Sequence, residues 1–404
     1  MYRTAAALLI CLICAVLFNF CVQTSQQLAS VFFHDSVTAE SLREKYDNSE
    51  RGNKKRNDGE KVKILVVPGH DKQYSGTTYR GLQEVELTVD LGERLYELLQ
   101  KEPSFDVYLT QTKEGYVPEF SNYFEQNREG ILKFIADQKN LMNQYVESRQ
   151  VERVVHTIRN IAPDEMGVRL YGINKWANEN DIDIVIHVHF NDYPGRPRTG
   201  SGKYSGFSIF VPESQYSNAK GSKSVAEFVY NRLKNFYPVS DMPKEDTGVI
   251  EDQELIALGS NNSLDGVGML VEYGYIYEPG IVDISIRNKI LDDLAFQTYL
   301  GVMDFFGKST DEVGEYGSRL LPHEWQDDLK KGDESLQDIV SLQAALIVEG
   351  VYPPPGETKN NCPISGRFGS CTERSVRAFQ EKHGIVPAQG FVGELTRMKL
   401  NELY

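Results

Sequence analysis

KVKILVVPGH, residues 61–70, is the stretch on which the fold turns. A short β-branched run ends in Pro-Gly and then a histidine, the pattern of a buried strand running into a loop. Just beyond it, ELTVDLGERLYELLQ (86–100) sets Leu87, Leu91, Leu95, Leu98 and Leu99 along one side of a helix. Further apolar runs follow at 105–110 (FDVYLT), 183–190 (DIVIHVHF), 206–212 (GFSIFVP) and 267–273 (VGMLVEY). Helical periodicity fills the intervals at about 125–160, 167–180, 219–236 and 283–306. Strands apolar on both faces, alternating with helices, predict an α/β fold. Its sheet is doubly wound and mostly parallel, with helices on both faces.

Outward from this core, over residues 61–307, the 404-residue chain divides into further parts. Residues 4–22 (TAAALLICLICAVLFNFCV) are apolar apart from Asn19, and about 19 residues at ~1.5 Å each just reach a ~30 Å bilayer core. With Arg3 before this segment, residues 1–35 predict export, as a retained signal anchor or a cleaved signal peptide. Residues 36–60 are polar and charged, and predict a flexible tether. Residues 308–334 lose the strand–helix rhythm and predict a linker. Residues 335–404 predict a small three-helix domain around Leu342, Leu346, Val376, Phe379, Leu395 and Leu400, with Thr372 capping its middle helix. Cys362 and Cys371 are the only cysteines outside the N-terminal segment, and a bridge between them suits an exported protein. Two free thiols are the alternative. The net charge of -15, from 43 Lys and Arg against 58 Asp and Glu, argues against a nucleic-acid partner.

Four residues stand at strand ends or a helix start: His70 after the first strand, Glu84 opening the helix, His189 ending IVIHVHFND, and Glu272 in GMLVEYGY. In an open α/β sheet, ligands bind outside the carboxyl ends of the strands, so these four can converge in one crevice. Two imidazoles and a carboxylate form a hydrolytic zinc set with one position left open. A further carboxylate can then serve as general base. His156, His323 and His383 read as ordinary surface histidines.

The same residues resemble those of the zinc-dependent N-acetylmuramoyl-L-alanine amidases. That family shows D-P-G-H-G-G, G-x-x-E, S-I-H-A-N and late V-E motifs, which appear here in order as VPGHDK, GLQEVELTVDLGERLYELL, VIHVHFN and LVEYGY. The resemblance spans about residues 62–306. It implies one Zn²⁺ held by His70, Glu84 and His189, with Glu272 as the catalytic base. It selects Glu84 over Glu86, and His189 over His187. The implied reaction cuts the amide between N-acetylmuramic acid and L-alanine in peptidoglycan, in the cell envelope and outside the cytoplasm. Residues 335–404 resemble the three-helix peptidoglycan-binding domain through VSLQAALIVEGVYP, ISGRFGSCTERSVRAFQEKHGI and GFVGELTRMKL.

Departures from the family pattern are specific. Val67 and Asp71-Lys72 replace the Asp and Gly-Gly around His70, Gln111 stands where an Arg is common, and His187 stands where a Ser is usual. His187 shares a strand face with His189, as a supporting group or an alternative ligand. The stretch 112–164 is much longer than the usual connection and has a helical pattern. It predicts a helical insertion beside the site, as a lid, a docking arm for a regulatory protein, or a surface elaboration. Two other functions stay open: a zinc peptidase acting on the stem peptide, and a non-catalytic wall-binding tether anchored at the membrane.

Overall fold

The structure, a computed structural model, describes residues 37–51, 60–153, 164–197, 200–258, 266–308, 316–334 and 336–404. Its centre is a six-stranded sheet of β1 (Val62–Pro68), β2 (Phe105–Leu109), β3 (Ile184–Asn191), β4 (Ser208–Pro212), β5 (Val249–Asp252) and β6 (Val267–Tyr275). The spatial order is β2-β1-β3-β6-β4-β5. The first four in that order run parallel, β4 is antiparallel to β6, and β5 runs parallel to β4. The expected mostly parallel sheet is present, with a reversed pair at one edge. β5 is short and only partly buried, so it lacks the apolar run that marks the other strands.

Alternation along the strands separates two faces. Ile64, Val66, Ile184, Ile186 and Val188 point toward α2 (Glu84–Leu99), α6 (Ala219–Phe236) and α7 (Ile284–Phe305). All five expected leucines of α2 are buried there. Leu91 and Leu95 have no exposed area, and truncating either to Ala is expected to cost about 2–5 kcal/mol. Leu65, Val67 and Val185 face the other way, under Phe120 of α3 (Pro118–Gln126) and Ile173 and Trp176 of α5 (Asp164–Glu179). His187 and His189 share this second face. The insertion is helical, through α3 and α4 (Arg128–Glu147); residues 154–163 lie outside the described residues.

Three expectations are corrected. Residues 39–51 of the expected flexible tether form a helix, α1 (Ala39–Arg51), packed on the main domain. Its apolar stripe is only two residues wide, Leu42 and Tyr46, and both are buried. Tyr46 stacks on Phe306 with ring centroids 4.6 Å apart, Arg43 Nε donates to the Phe305 carbonyl at 2.8 Å, and Thr38 and Ser41 cap the helix reciprocally. A hydropathy average over a charged segment hides an i, i+4 pair of this kind. Residues 52–59, and the whole expected signal segment 1–35, lie outside the described residues. Among the described residues, no helix is long and apolar enough to cross a membrane.

The second correction concerns the linker. Residues 316–334 are not free: Leu320, Trp325 and Leu329 are buried, Trp325 Nε1 donates to the Asp338 carbonyl, and Leu329 pairs with Val392. The third is local to the C-terminal domain, whose helices are α8 (Gln337–Val348), α9 (Ser370–Lys382) and α10 (Glu394–Leu403). Leu342, Leu346, Val376, Phe379 and Leu400 form its core, but Leu395 is 60% exposed on the outer side of α10. α9 starts at Ser370, so Thr372 is not its cap. The Thr372 hydroxyl instead accepts from Gln343 Nε2 at 3.1 Å. Cys362 and Cys371 are disulfide-bonded.

Candidate metal centre

The site forms where β1 and β3 end. Past Pro68, Gly69 N donates to the Val188 carbonyl at 2.8 Å, which ties the loop to β3. A Cβ on Gly69 would fall inside the His189 ring, so only glycine lets the two strands' ends approach this closely. His70 then takes a positive φ of 66°. For a residue with a side chain, this left-handed backbone costs about 1–2 kcal/mol and persists only where neighbours hold it.

Glu84 reaches the same point from the first turn of α2. The helix start is sewn to the loop by Glu84 N to the Thr77 carbonyl (3.0 Å), Val85 N to the Ser75 carbonyl (3.2 Å) and Thr88 Oγ1 to the Gly69 carbonyl (2.7 Å). Glu84 Oε2 lies 3.1 Å from His70 Nε2, and Glu84 Oε1 lies 3.2 Å from His189 Nδ1. One ligand atom from each of the three residues lies within 4.8 Å of the others, so one ion can meet all three. Gly76, at φ 74°, leaves space that a Cβ would take from Glu84 and His70. Glu84 is 4% exposed, whereas Glu86 points to solvent. Burial by itself would raise the Glu84 pKa. The hydrogen bonds from His189 and His70 outweigh it and hold the carboxyl far below the ordinary range. Burial lowers the His70 pKa, but the Glu84 carboxylate more than offsets this and raises it. A buried carboxylate kept ionised between two imidazoles is a donor set that suits zinc.

Glu272 lies on β6, paired in register with His189 on one side and Ser208 on the other, and is 8% exposed. It is outside the trio of candidate ligands. His187 is outside it too. Buried beneath His189, it pairs in register with Val67 and Leu270, and its Nε2 meets no hydrogen-bond partner among the described residues. Burial, and then the nearby His189, push its pKa down to about 3. At neutral pH His187 is therefore uncharged, and it stands outside the trio of candidate ligands. His323 and His383 are half-buried and bonded to Asp338 and Glu349, away from the site; His156 lies outside the described residues.

The roles of several supporting residues carry no sequence signal. Gln111, the departure from Arg, donates through Nε2 to the carbonyls of Pro68 (2.8 Å) and His70 (2.6 Å), and so fixes the strained backbone. Arg169 of α5 bonds Asp71, directly after His70. Arg196 forks onto Asp192 at 2.7 and 2.8 Å, and the Thr77 hydroxyl meets the same carboxylate. Buried Glu245 accepts from Asn191 at 2.9 Å and from Ser240 at 3.0 Å, anchoring the end of β3. These partners are 41 to 115 positions apart or sit in loops without periodicity, so no local signal marks them.

A family profile described as N-acetylmuramoyl-L-alanine amidase matches residues 64–302, and one described as a putative peptidoglycan binding domain matches residues 335–400. No curated protein matches the sequence. Among solved structures, an N-acetylmuramoyl-L-alanine amidase from Clostridium difficile 630 is 16% identical, covering 62% of this chain and 100% of its own, with a TM-score of 0.40. The catalytic domain of CwlV from Bacillus (Paenibacillus) polymyxa var. colistinus is 12% identical, covering 61% and 98%, with a TM-score of 0.39. Ami1 from Mycobacterium smegmatis is 15% identical, covering 61% and 97%, with a TM-score of 0.38.

Proposed function

The chain belongs to the N-acetylmuramoyl-L-alanine amidase family, and from that premise we propose that it works as a zinc enzyme with His70, Glu84 and His189 as ligands and Glu272 as general base. The family reaction is hydrolysis of the amide between N-acetylmuramic acid and L-alanine in peptidoglycan, and the C-terminal domain binds peptidoglycan. The observation that carries the zinc reading is the buried, ionised Glu84 bridging two imidazoles. When bound, zinc supplies Lewis acidity that polarises the scissile carbonyl and lowers the pKa of water from about 15.7 toward 7.

The chain's own residues do the rest. Glu272, beside His189 on the same sheet face, takes a proton from the attacking water and returns it to the amine of L-alanine as the C–N bond breaks. Its register beside His189, its low exposure and its position outside the ligand trio support this role. Action outside the cytoplasm follows from the substrate, and residues 4–22 supply the export signal or membrane anchor in this reading.

Digestion of purified peptidoglycan, with mass analysis of the products, tests the reaction. New N-terminal L-alanine on otherwise intact peptides is expected; cuts within the stem peptide would replace the amidase with a peptidase. Glu272→Gln is expected to keep one zinc per chain and lose about 10²–10⁴-fold in turnover. Full activity in that variant would remove Glu272 as the base.

A further inference from the structure

The loop that carries His70 is gripped from a helix distant in sequence. Arg169, on the first half of α5, bonds Asp71 Oδ2 through Nη1 and Gln73 Oε1 through Nη2, the latter at 2.8 Å. Its guanidinium lies 5.8 Å from the Tyr74 ring centroid and 5.9 Å from that of Tyr116. Asp71 passes the grip inward. Its Oδ1 accepts the backbone N–H groups of Gln73 (2.8 Å) and Tyr74 (2.9 Å), and its own N–H donates to the Tyr74 carbonyl at 3.1 Å. His70 directly precedes this turn, and its Nε2 lies 3.1 Å from Glu84 Oε2. The chain of contacts therefore runs from Arg169 through Asp71 to the backbone that carries the imidazole.

We propose that Arg169 is a positioning residue for the metal site, holding the loop after β1 so that His70 presents Nε2 toward Glu84. The inference rests on reading His70 as a zinc ligand. A ligand can meet a metal well only where its backbone is held, and losing an outer partner that fixes a ligand commonly weakens a metal site about 10–100-fold. His70 has a further reason to need the grip, since its positive φ lets the loop relax when neighbours release it. Arg suits the task because its planar fork spans Asp71 and Gln73 together, which a lysine cannot do.

A cavity of about 550 Å³ opens against this contact, lined by Asp71, Lys72 and Gln73 from the loop and by Arg128, Glu165 and Arg169 from the helices. The ion pair thus stands at the wall of an open space and outside the hydrophobic core, so its removal leaves the fold's main packing untouched.

The test uses the full chain stripped of metal and titrated with zinc against a chromophoric chelator. Arg169→Ala and Arg169→Gln are expected to bind zinc about 10–100-fold more weakly than the wild type, with Arg169→Lys between them. The melting temperature of the zinc-free variants is expected to stay close to that of the zinc-free wild type, which a purely structural contact would not allow. Zinc affinity within about threefold of wild type in folded variants overturns the proposal. Should Arg169→Ala fail to fold, Arg169→Gln gives the same decision, because it keeps most of the side chain's volume. A wild-type chain that takes up no zinc overturns the ligand reading itself, so the two failures are distinguishable.

Discussion

His70 sits on the loop after β1 and His189 near the end of β3, and the loop at each place is held by an arginine on an aspartate, yet the two clamps are built differently. The Arg196–Asp192 clamp is local. The partners are four residues apart, Arg196 Nη2 also donates to the Thr78 carbonyl at 2.8 Å, and the guanidinium lies between the rings of Tyr79 and Tyr277. Only 5% of the Arg196 side chain is exposed. The Arg169–Asp71 clamp joins residues 98 apart in sequence, its arginine side chain is 24% exposed, and a cavity lies against it. The first clamp is part of the packed wall of the domain, and its loss should unsettle folding. The second holds the loop that presents His70, and its loss should unsettle the proposed metal site. Charge-assisted contacts of one chemical type can thus serve stability or geometry, according to what surrounds them.

The point where the two clamped stretches meet gives the largest expected effect. Gly76 lies between Asp71 and Thr77, and its missing Cβ makes room for both Glu84 and the His70 ring. Gly76→Ala should weaken zinc binding by about 100-fold or more, since the added methyl displaces two ligands at once and the φ of 74° disfavours any side chain. Gly81→Ala is the matched control. Its φ is 87°, but nothing lies within 4 Å of the added Cβ, so it should bear the backbone strain without touching the metal. Equal zinc affinities in the two variants would show that close approach at Gly76 is irrelevant.

Arg196→Ala separates the two clamps' roles. Losing hydrogen bonds to a charged group in a nearly closed site should cost about 2 kcal/mol of stability, read as a lowered melting temperature of the zinc-free protein. Zinc affinity should move less than in Arg169→Ala. The reverse ranking, with Arg196→Ala the poorer zinc binder and Arg169→Ala the less stable protein, would invert the two roles.

The sequence marked the candidate site residues and left their supports hidden, for a physical reason. His70 follows β1 and Glu84 opens α2, while His189 and Glu272 are polar residues set in the apolar strands β3 and β6. The sheet and its helices are legible in the same way, because periodicity records which face is buried. Arg169 and Gln111 act across 98 and 41 positions, and Arg196, which clamps nearby Asp192, also reaches the Thr78 carbonyl 118 positions away; each is an ordinary polar residue in its own neighbourhood. Helix α1 was lost for the related reason that two buried residues among eleven others do not raise a segment's mean hydropathy. The packed connection at 316–334 has no regular period at all, so only its tertiary contacts reveal it.

The smallest effect we expect is a pH dependence that separates the local clamp from general acid denaturation. Burial pushes the Asp192 pKa upward, but the hydrogen bonds from Arg196 and Thr77 outweigh it and hold the carboxyl below its ordinary value. A depressed folded-state pKa means that the unfolded chain takes up the proton first, near pH ~3.9. The clamp's contribution is therefore present above that value and is lost as pH falls through the lower, folded one. Melting the zinc-free wild type and Arg196→Ala side by side from neutral pH downward isolates this contribution, because the many other carboxylates titrate in both proteins. The gap between the two melting temperatures should be steady above about pH 5 and close as the solution is made more acid. A gap that stays constant or widens would mean that the Asp192 charge contributes nothing to the clamp, and that Arg196 stabilises the loop through its tyrosine neighbours alone.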